Sequence, residues 1–231
     1  MQKRTKIIIA SIVAGVLALG ATAAIAGPIV YRDLIVGEAE AAPSVTAVPT
    51  SDPGAAAPDL TGDWTVADGS FAGYRVDEVL NGTDVTVTGR TSDVTGDFTV
   101  DGLSLTAASL EVDVASIATD SGNRDEYFRS SALRVDEFPT ATFVLAEPIA
   151  VDTAPVVGGA QTLQATGDLT LAGVTRTVTV DIDAVWNGAD GQVAGSIPIT
   201  FADFGVEAPN LGFVSVEPDG FVEFSLVLAR S

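Results

Sequence analysis

The sequence contains no cysteine and no histidine, and both of its lysines lie within the first six residues. Without cysteine, disulfides, thiolate nucleophiles and zinc–thiolate sites are excluded. Without histidine, Ser-His-Asp triads and the commonest general base are excluded as well. Beyond residue 6 the chain also lacks the amine that Schiff-base chemistry and P-loop phosphate binding require. These absences favour a protein that is not an enzyme, and nothing in the sequence indicates a cofactor or a metal site.

Cations are scarce: 11 Lys and Arg stand against 31 Asp and Glu, which gives a formal net charge of −20. Such a surface repels phosphate, so we expect no nucleic-acid partner. Carboxylate pairs such as Asp181 and Asp183 could serve glycoside hydrolysis or Ca²⁺ binding. However, these pairs fall on the polar phase of a strand pattern, which faces solvent. In a chain with 31 acidic residues, such pairs are also expected by chance.

The N-terminal segment is basic and then apolar. Residues 1–6 carry three positive charges, and residues 7–31 carry none. A helix over 7–31 is long enough to cross a hydrocarbon core of roughly 30 Å. We expect a single-pass anchor in the cytoplasmic membrane, with residues 1–6 inside and the acidic remainder on the extracellular or periplasmic side. The alternative is a signal peptide cleaved after Ala26, which would leave a secreted protein.

Residues 32–59 form a predicted linker before a domain at 60–231. The stretch 38–59 contains seven Ala and four Pro and no aromatic residue. Such a composition buries too little apolar surface to offset the entropy of ordering the chain. We therefore expect an extended spacer that holds the domain away from the membrane.

Alternation of apolar and polar residues with a period of two dominates the domain and predicts antiparallel strands. In 174–186 the even positions are mostly apolar, whereas the odd positions are mostly Thr and Asp. Turn signals separate the strands, among them Ala172-Gly173 and Asp219-Gly220. The predicted strands are 62–67, 73–79, 84–91, 94–100, 104–114, 140–150, 162–171, 174–187, 192–202 and 221–230.

One segment, 121–133, breaks the alternation by mixing charges with aromatic residues, and it predicts a short helical insertion with Ser121 as its N-cap. A one-faced antiparallel sheet of this length closes most economically into a barrel, because closure removes the exposed edges. We therefore expect an all-β barrel of about eight strands, whose interior is filled by side chains or holds one ligand. The alternative is a β-sandwich with a solid core.

Eight short stretches follow one another in a distinctive order along the domain. They are DWTV at 63–66, SFAGYRV at 70–76, VTGDF at 94–98, LEVDVASIAT at 110–119, NRDEYF at 123–128, EFPTATF at 137–143, GDLTLAGVTR at 167–176 and DFGV at 203–206. This ordered set resembles the YceI-like family of exported bacterial proteins. The resemblance implies an extended lipocalin-like barrel that binds a polyisoprenoid or another long-chain lipid. Many members carry a histidine in the second strand, where this chain reads GYRV at 73–76.

The resemblance further implies a lipid site inside the barrel, whereas the pattern alone leaves the same side chains as ordinary core. The expected lining residues are Phe98, Leu110, Val112, Phe143, Leu145, Val180, Ile182, Trp186, Ile197, Ile199, Phe224 and Leu226, together with Tyr74 and Arg75. Arg75 or Arg124 could hold a head group or phosphate at the barrel mouth. The alternative for both arginines is a structural ion pair. Arg176 is expected as a surface residue at a strand end, and the alternative is a charge that points into the barrel. The alternative function is a solid acidic domain that acts as a cell-envelope interaction module or a Ca²⁺-dependent structural module.

Overall fold

The computed structural model describes residues 39–47, 59–80, 82–212 and 214–231. The strands are β1 Gly62–Leu80, β2 Thr83–Thr91, β3 Val94–Asp101, β4 Ser104–Asp113, β5 Thr140–Leu145, β6 Ile149–Ala150, β7 Ala160–Leu171, β8 Val174–Trp186, β9 Gly191–Thr200 and β10 Val214–Arg230. Among the described residues no helix has the length and apolar character needed to span a membrane. The predicted transmembrane segment, 7–31, lies outside the described residues.

Eight of the strands close into an antiparallel barrel. Their order around the wall is β1, β3, β4, β5, β7, β8, β9 and β10, and β10 pairs back onto β1. Closure pairs the backbone groups that an open sheet would expose along its edges. The predicted all-β barrel is therefore confirmed, and the alternative β-sandwich is wrong. Two further strands extend the wall, because β2 pairs with the second half of β1 and the short β6 pairs with the start of β4.

β1 is one strand of 19 residues where the sequence pattern predicted two. The break in the pattern is a bulge, since the register against β10 shifts between Ala67 and Phe71. Ser70 lies in this bulge and is buried. Its hydroxyl donates to the Ala67 carbonyl at 2.7 Å and accepts from the Val227 N–H at 2.9 Å. The serine thus replaces a ladder hydrogen bond that the bulge removes.

The turn predicted at Asp219-Gly220 is wrong, because β10 runs without interruption through both residues. Gly220 pairs with Val76 of β1 and with Ile199 of β9. The register against β1 then jumps to Val216, and Pro218 falls in the stretch that β1 skips. Proline lacks an N–H to donate, so within a sheet it favours such bulges. The turn-forming residues here mark a bend in a long strand.

The predicted strand 140–150 is two strands, β5 and β6, which pair with opposite ends of β4. The helical insertion lies between β4 and β5, as expected. It comprises a 3₁₀ turn at Val114–Ser116, helix α1 at Gly122–Tyr127, and a π-turn at Phe128–Ala132 that continues α1. A further 3₁₀ turn, Phe201–Phe204, follows β9.

The insertion is attached to β2 and ordered by a buried carboxylate. Ala118 and Arg90 exchange two backbone hydrogen bonds, at 3.0 and 3.1 Å. Ser121 takes the N-cap position of α1, but its side chain makes no capping hydrogen bond. Instead the Asp125 carboxylate turns back and accepts from the N–H and hydroxyl of Thr119 at 2.9 and 2.7 Å. These contacts hold α1 over one end of the barrel, which we call the mouth.

Within the predicted linker, residues 39–47 lie against the outer wall of the barrel. Glu40 forms an ion pair with Arg90, and its carbonyl accepts from Arg75 Nη2 at 2.7 Å. Further along, the Thr46 N–H donates to Gln192 Oε1 at 3.1 Å. We call residues 39–47 the strap. This part of the linker is therefore not a spacer free of the domain, because it covers an ion-pair cluster on the wall.

Replacement of Ser70 by alanine tests how much the bulge contributes to closure of the barrel. The Val227 N–H would lose its partner in a buried position, which costs about 1–3 kcal/mol. Urea unfolding should show that loss of stability with an unchanged m-value. Ser225→Ala on β10 is the control, because the Ser225 hydroxyl makes no hydrogen bond to any described residue. This variant should change the stability little. Equal stability of the two variants would contradict this role of Ser70.

Candidate functional site

Three cavities follow one another inside the barrel. The mouth cavity beneath α1 has a volume of about 540 Å³, the middle cavity about 90 Å³, and the far cavity about 200 Å³. Val112 and Val222 line both the mouth and the middle cavities. Phe98 and Ile182 line both the middle and the far cavities. Neighbouring cavities thus share wall residues, and we call this row of three mainly apolar cavities the passage.

All twelve predicted lining residues with apolar side chains face this passage. Val112 and Ile199 line the mouth cavity, and Trp186 lines the far cavity. The middle cavity is lined by Phe98, Leu110, Val112, Phe143, Leu145, Val180, Ile182, Ile197, Phe224 and Leu226. The alternation of each strand places them there, since every second side chain points inward. Whether they contact a ligand stays a prediction.

Of the two polar residues predicted for the site, Tyr74 lies inside and Arg75 lies outside. Tyr74 lines the mouth cavity, and its ring stacks on Phe128 with centroids 4.9 Å apart. Arg75 takes the outward phase of β1, where its Nε donates to Glu223 Oε1 at 2.6 Å. The predicted role of Arg75 at a ligand is therefore wrong, and the alternative of a structural ion pair is correct. Arg176 is exposed near the start of β8, as expected for a strand end, although its pairing with Leu169 gives it the inward phase of the strand.

Glycines opposite large side chains keep the passage open. Gly195 pairs with Phe224, and a Cβ at Gly195 would lie 2.6 Å from Cζ of that ring. A Cβ at Gly167 would lie 2.3 Å from Cζ of Phe143. Both rings therefore lean sideways over a glycine on the neighbouring strand. Because they lie along the wall, they add apolar surface without closing the passage.

The mouth cavity contains a buried ion pair that the sequence patterns did not reveal. Glu78 faces inward from β1 and is 5% exposed. Arg124 of α1 donates through Nη2 to Glu78 Oε1 at 3.0 Å and through Nη1 to Asp120 Oδ1 at 2.6 Å. Glu78 could have been found from its phase, since it continues the inward series of Ala72, Tyr74 and Val76. Its partner could not, because 46 residues separate the two.

Burial and charge set the protonation of the mouth residues. Burial raises the pKa of the Tyr74 phenol, so the side chain stays neutral at physiological pH. Burial opposes the charge of Arg124, but Glu78 and Asp120 outweigh it and raise the pKa of the guanidinium. The mouth therefore holds a neutral phenol beside a charged guanidinium. In the described part of the chain, no group of three or more acidic side chains is placed to hold a metal ion.

Both tryptophans of the chain line the far cavity. Trp64 and Trp186 meet edge to face with centroids 5.4 Å apart. The indole N–H of Trp64 donates to the Leu60 carbonyl at 3.0 Å, which satisfies its polar atom in a buried position. The far end of the passage is therefore bounded by a fixed aromatic pair.

The sequence profile of the YceI-like domain matches residues 64–228. The chain belongs to the YceI-like family. A UPF0312 protein of Shewanella baltica is 34% identical over 148 residues, which cover 59% of this chain and 73% of that protein. A UPF0312 protein of Pseudomonas aeruginosa is 33% identical over 138 residues, covering 56% and 68% of the two chains.

Solved structures of similar fold support the barrel assignment. One is a polyisoprenoid binding domain from Saccharophagus degradans implicated in plant cell wall breakdown. It superposes with a TM-score of 0.60 at 20% identity, over 74% of this chain and 99% of that one. Another, BcnA of Burkholderia cenocepacia, gives a TM-score of 0.53 at 24% identity, over 67% and 95% of the two chains. At these identities the likeness concerns the fold.

Substitution of Gly195 by alanine tests the origin of the open passage. The new Cβ must displace the Phe224 ring or the backbone, and such overpacking costs about 1–3 kcal/mol. Thermal or urea unfolding should show this loss of stability. Gly122→Ala is the matched control, because a Cβ at Gly122 meets nothing within 4 Å, and it should be neutral or slightly stabilising. Equal stability of the two variants would contradict the close packing described here.

Proposed function

We propose that this YceI-like domain binds one long apolar lipid chain, of isoprenoid or fatty type, in the barrel interior and releases it unchanged. The observation that carries the proposal is the row of three apolar cavities that leads from the mouth to the tryptophan pair. The mouth cavity alone, at about 540 Å³, lies in the usual range of ligand sites, roughly 300–1,000 Å³. The structural neighbour from Saccharophagus degradans, described as a polyisoprenoid binding domain, supports the same ligand class.

Binding of such a chain would be driven by removal of its apolar surface from water. Each buried methylene contributes about 0.8 kcal/mol. A wall of aliphatic and aromatic side chains makes few directional contacts, so the passage would distinguish lipids mainly by length. A solid acidic module, the alternative function, requires a filled interior, and the three cavities count against it.

We further propose that the N-terminal segment tethers the barrel at the outer face of the cytoplasmic membrane. The direction of the strap supports this arrangement. Its Glu40 end contacts Arg75 and Arg90 beside the mouth, whereas Thr46 contacts Gln192, which lines the far cavity. Seven residues, 32–38, separate the strap from the apolar segment and can span at most about 25 Å. A tether of this length would hold the mouth close to the membrane and raise the effective lipid concentration.

The tryptophan pair provides a test of the binding mode. Geraniol, farnesol and geranylgeraniol would be titrated into the lipid-free full chain while tryptophan emission is followed. Affinity should rise about tenfold or more with each added isoprene unit, because each unit buries more apolar surface. An affinity that does not depend on chain length would contradict binding along the passage.

Filling the middle cavity should abolish binding without unfolding the barrel. Ala165 is 4% exposed, lines the middle cavity and pairs with Val180. In Ala165→Phe the ring would occupy the constriction. Lipid extracted from the purified full chain would be quantified by mass spectrometry. The matched control is Gln164→Phe, which adds the same ring at an exposed position on the same strand. Undiminished lipid in a folded Ala165→Phe variant would contradict an interior site.

A further inference from the structure

The charged groups at the mouth are mostly carboxylates. Among the described residues that line the mouth cavity, Glu78 and Glu207 are acidic and Arg124 is the one cation. Two more acids lie behind Arg124, since Asp120 pairs with it and Asp125 orders the start of α1. This part of the mouth therefore offers four carboxylates and one guanidinium. Its net negative charge opposes the entry of an anion.

Arg124 is already engaged by carboxylates on both of its terminal nitrogens. Nη2 contacts Glu78 at 3.0 Å, and Nη1 contacts Asp120 at 2.6 Å. A phosphate that took Arg124 would displace Glu78, whose side chain is 5% exposed. Removing one partner of a buried ion pair leaves an uncompensated charge and is strongly unfavourable. The arginine therefore serves to neutralise Glu78 and is not available as an anion receptor.

Four other arginines near this end are engaged by acidic residues. Neither they nor Arg176, which is exposed near the start of β8, line the mouth cavity. Arg129 lies 3.8 Å from Glu126, and Arg134 lies 3.8 Å from Glu137. Arg75 and Arg90 lie on the outer wall, where Glu223 and Glu40 balance them. Among the described residues, Arg124 is thus the one cation that lines the mouth cavity, and both of its terminal nitrogens are already paired.

The uncharged polar residues that line the mouth cavity are Tyr74, Ser121, Asn123 and Tyr127. Hydroxyl and amide groups both donate and accept hydrogen bonds, so they suit a neutral head group. We infer that the lipid bound by this barrel carries an uncharged, hydrogen-bonding head group, and that the mouth discriminates against phosphate and diphosphate heads. This inference rests on the proposed function, and it specifies the class of lipid.

A competition between three ligands with the same tail tests the inference. The lipid-free full chain would be incubated with equal amounts of geranylgeraniol, geranylgeranyl phosphate and geranylgeranyl diphosphate. Bound lipid would then be extracted and quantified by mass spectrometry. We expect the alcohol to be retained about tenfold or more over either phosphate. Equal or preferential retention of a phosphate would overturn the inference and leave the proposed function standing. Retention of none of the three would overturn the proposed function, and the inference with it.

Charge variants locate the discrimination in the mouth. Glu78→Gln removes one carboxylate and weakens the hold on Arg124, so the share of bound phosphate should rise about tenfold. Glu207→Gln removes a carboxylate at an exposed position of the same cavity and should also raise the share of bound phosphate. This second variant keeps the test decisive if Glu78→Gln does not fold. The matched control is Glu111→Gln, an exposed outward position on β4 that changes the net charge equally. An equal rise in the control would overturn the inference, because it would assign the effect to overall charge.

Discussion

The pairing of β1 with β10 is the interaction on which the rest of the structure depends. It joins residues near the two ends of the domain, from Trp64 with Arg230 to Leu80 with Val214. Without it the sheet would have two exposed edges and no interior. Two long strands cannot curve through this closure without local adjustment, and each carries a bulge, at Ser70 in β1 and around Pro218 in β10. The residues that disturb the strand pattern are therefore those that allow the barrel to close.

An interior that stays open is unusual, because protein cores are normally packed to the density of organic crystals. Here the side chains that could fill the passage lean over glycines, and small residues such as Ala72 and Ala165 face inward beside them. An empty apolar cavity lowers stability by roughly 24 cal/mol per Å³. A ligand that binds only the folded barrel restores that loss by mass action. The open passage therefore agrees with the proposed function, in which a bound lipid would fill it.

The sequence was informative wherever one strand's own alternation decides the outcome. Alternation within single strands identified the twelve inward-facing apolar residues without any knowledge of their neighbours. It failed where a contact joins distant segments, as for Arg75 and Glu223, which are 148 residues apart. The error at Arg75 was avoidable, because its odd position in β1 opposes that of Tyr74 and points outward. The partners of Arg124 and the docking of the strap depend on the assembled barrel, and no local pattern encodes them.

The distribution of charge connects the barrel to its surroundings. The passage is nearly free of charge, the mouth is acidic, and the outer wall beneath the strap holds paired arginines and glutamates. An acidic mouth is repelled by anionic membrane lipids, so diffusion alone would seldom bring it to a bilayer. The tether that we propose on the mouth side would overcome that repulsion by proximity. The same repulsion would then favour lipids with neutral head groups over the anionic lipids of a membrane. In the arrangement that we propose, the acidic mouth would select the lipid by its head group, and the tether would keep the barrel close to the membrane that contains the lipid.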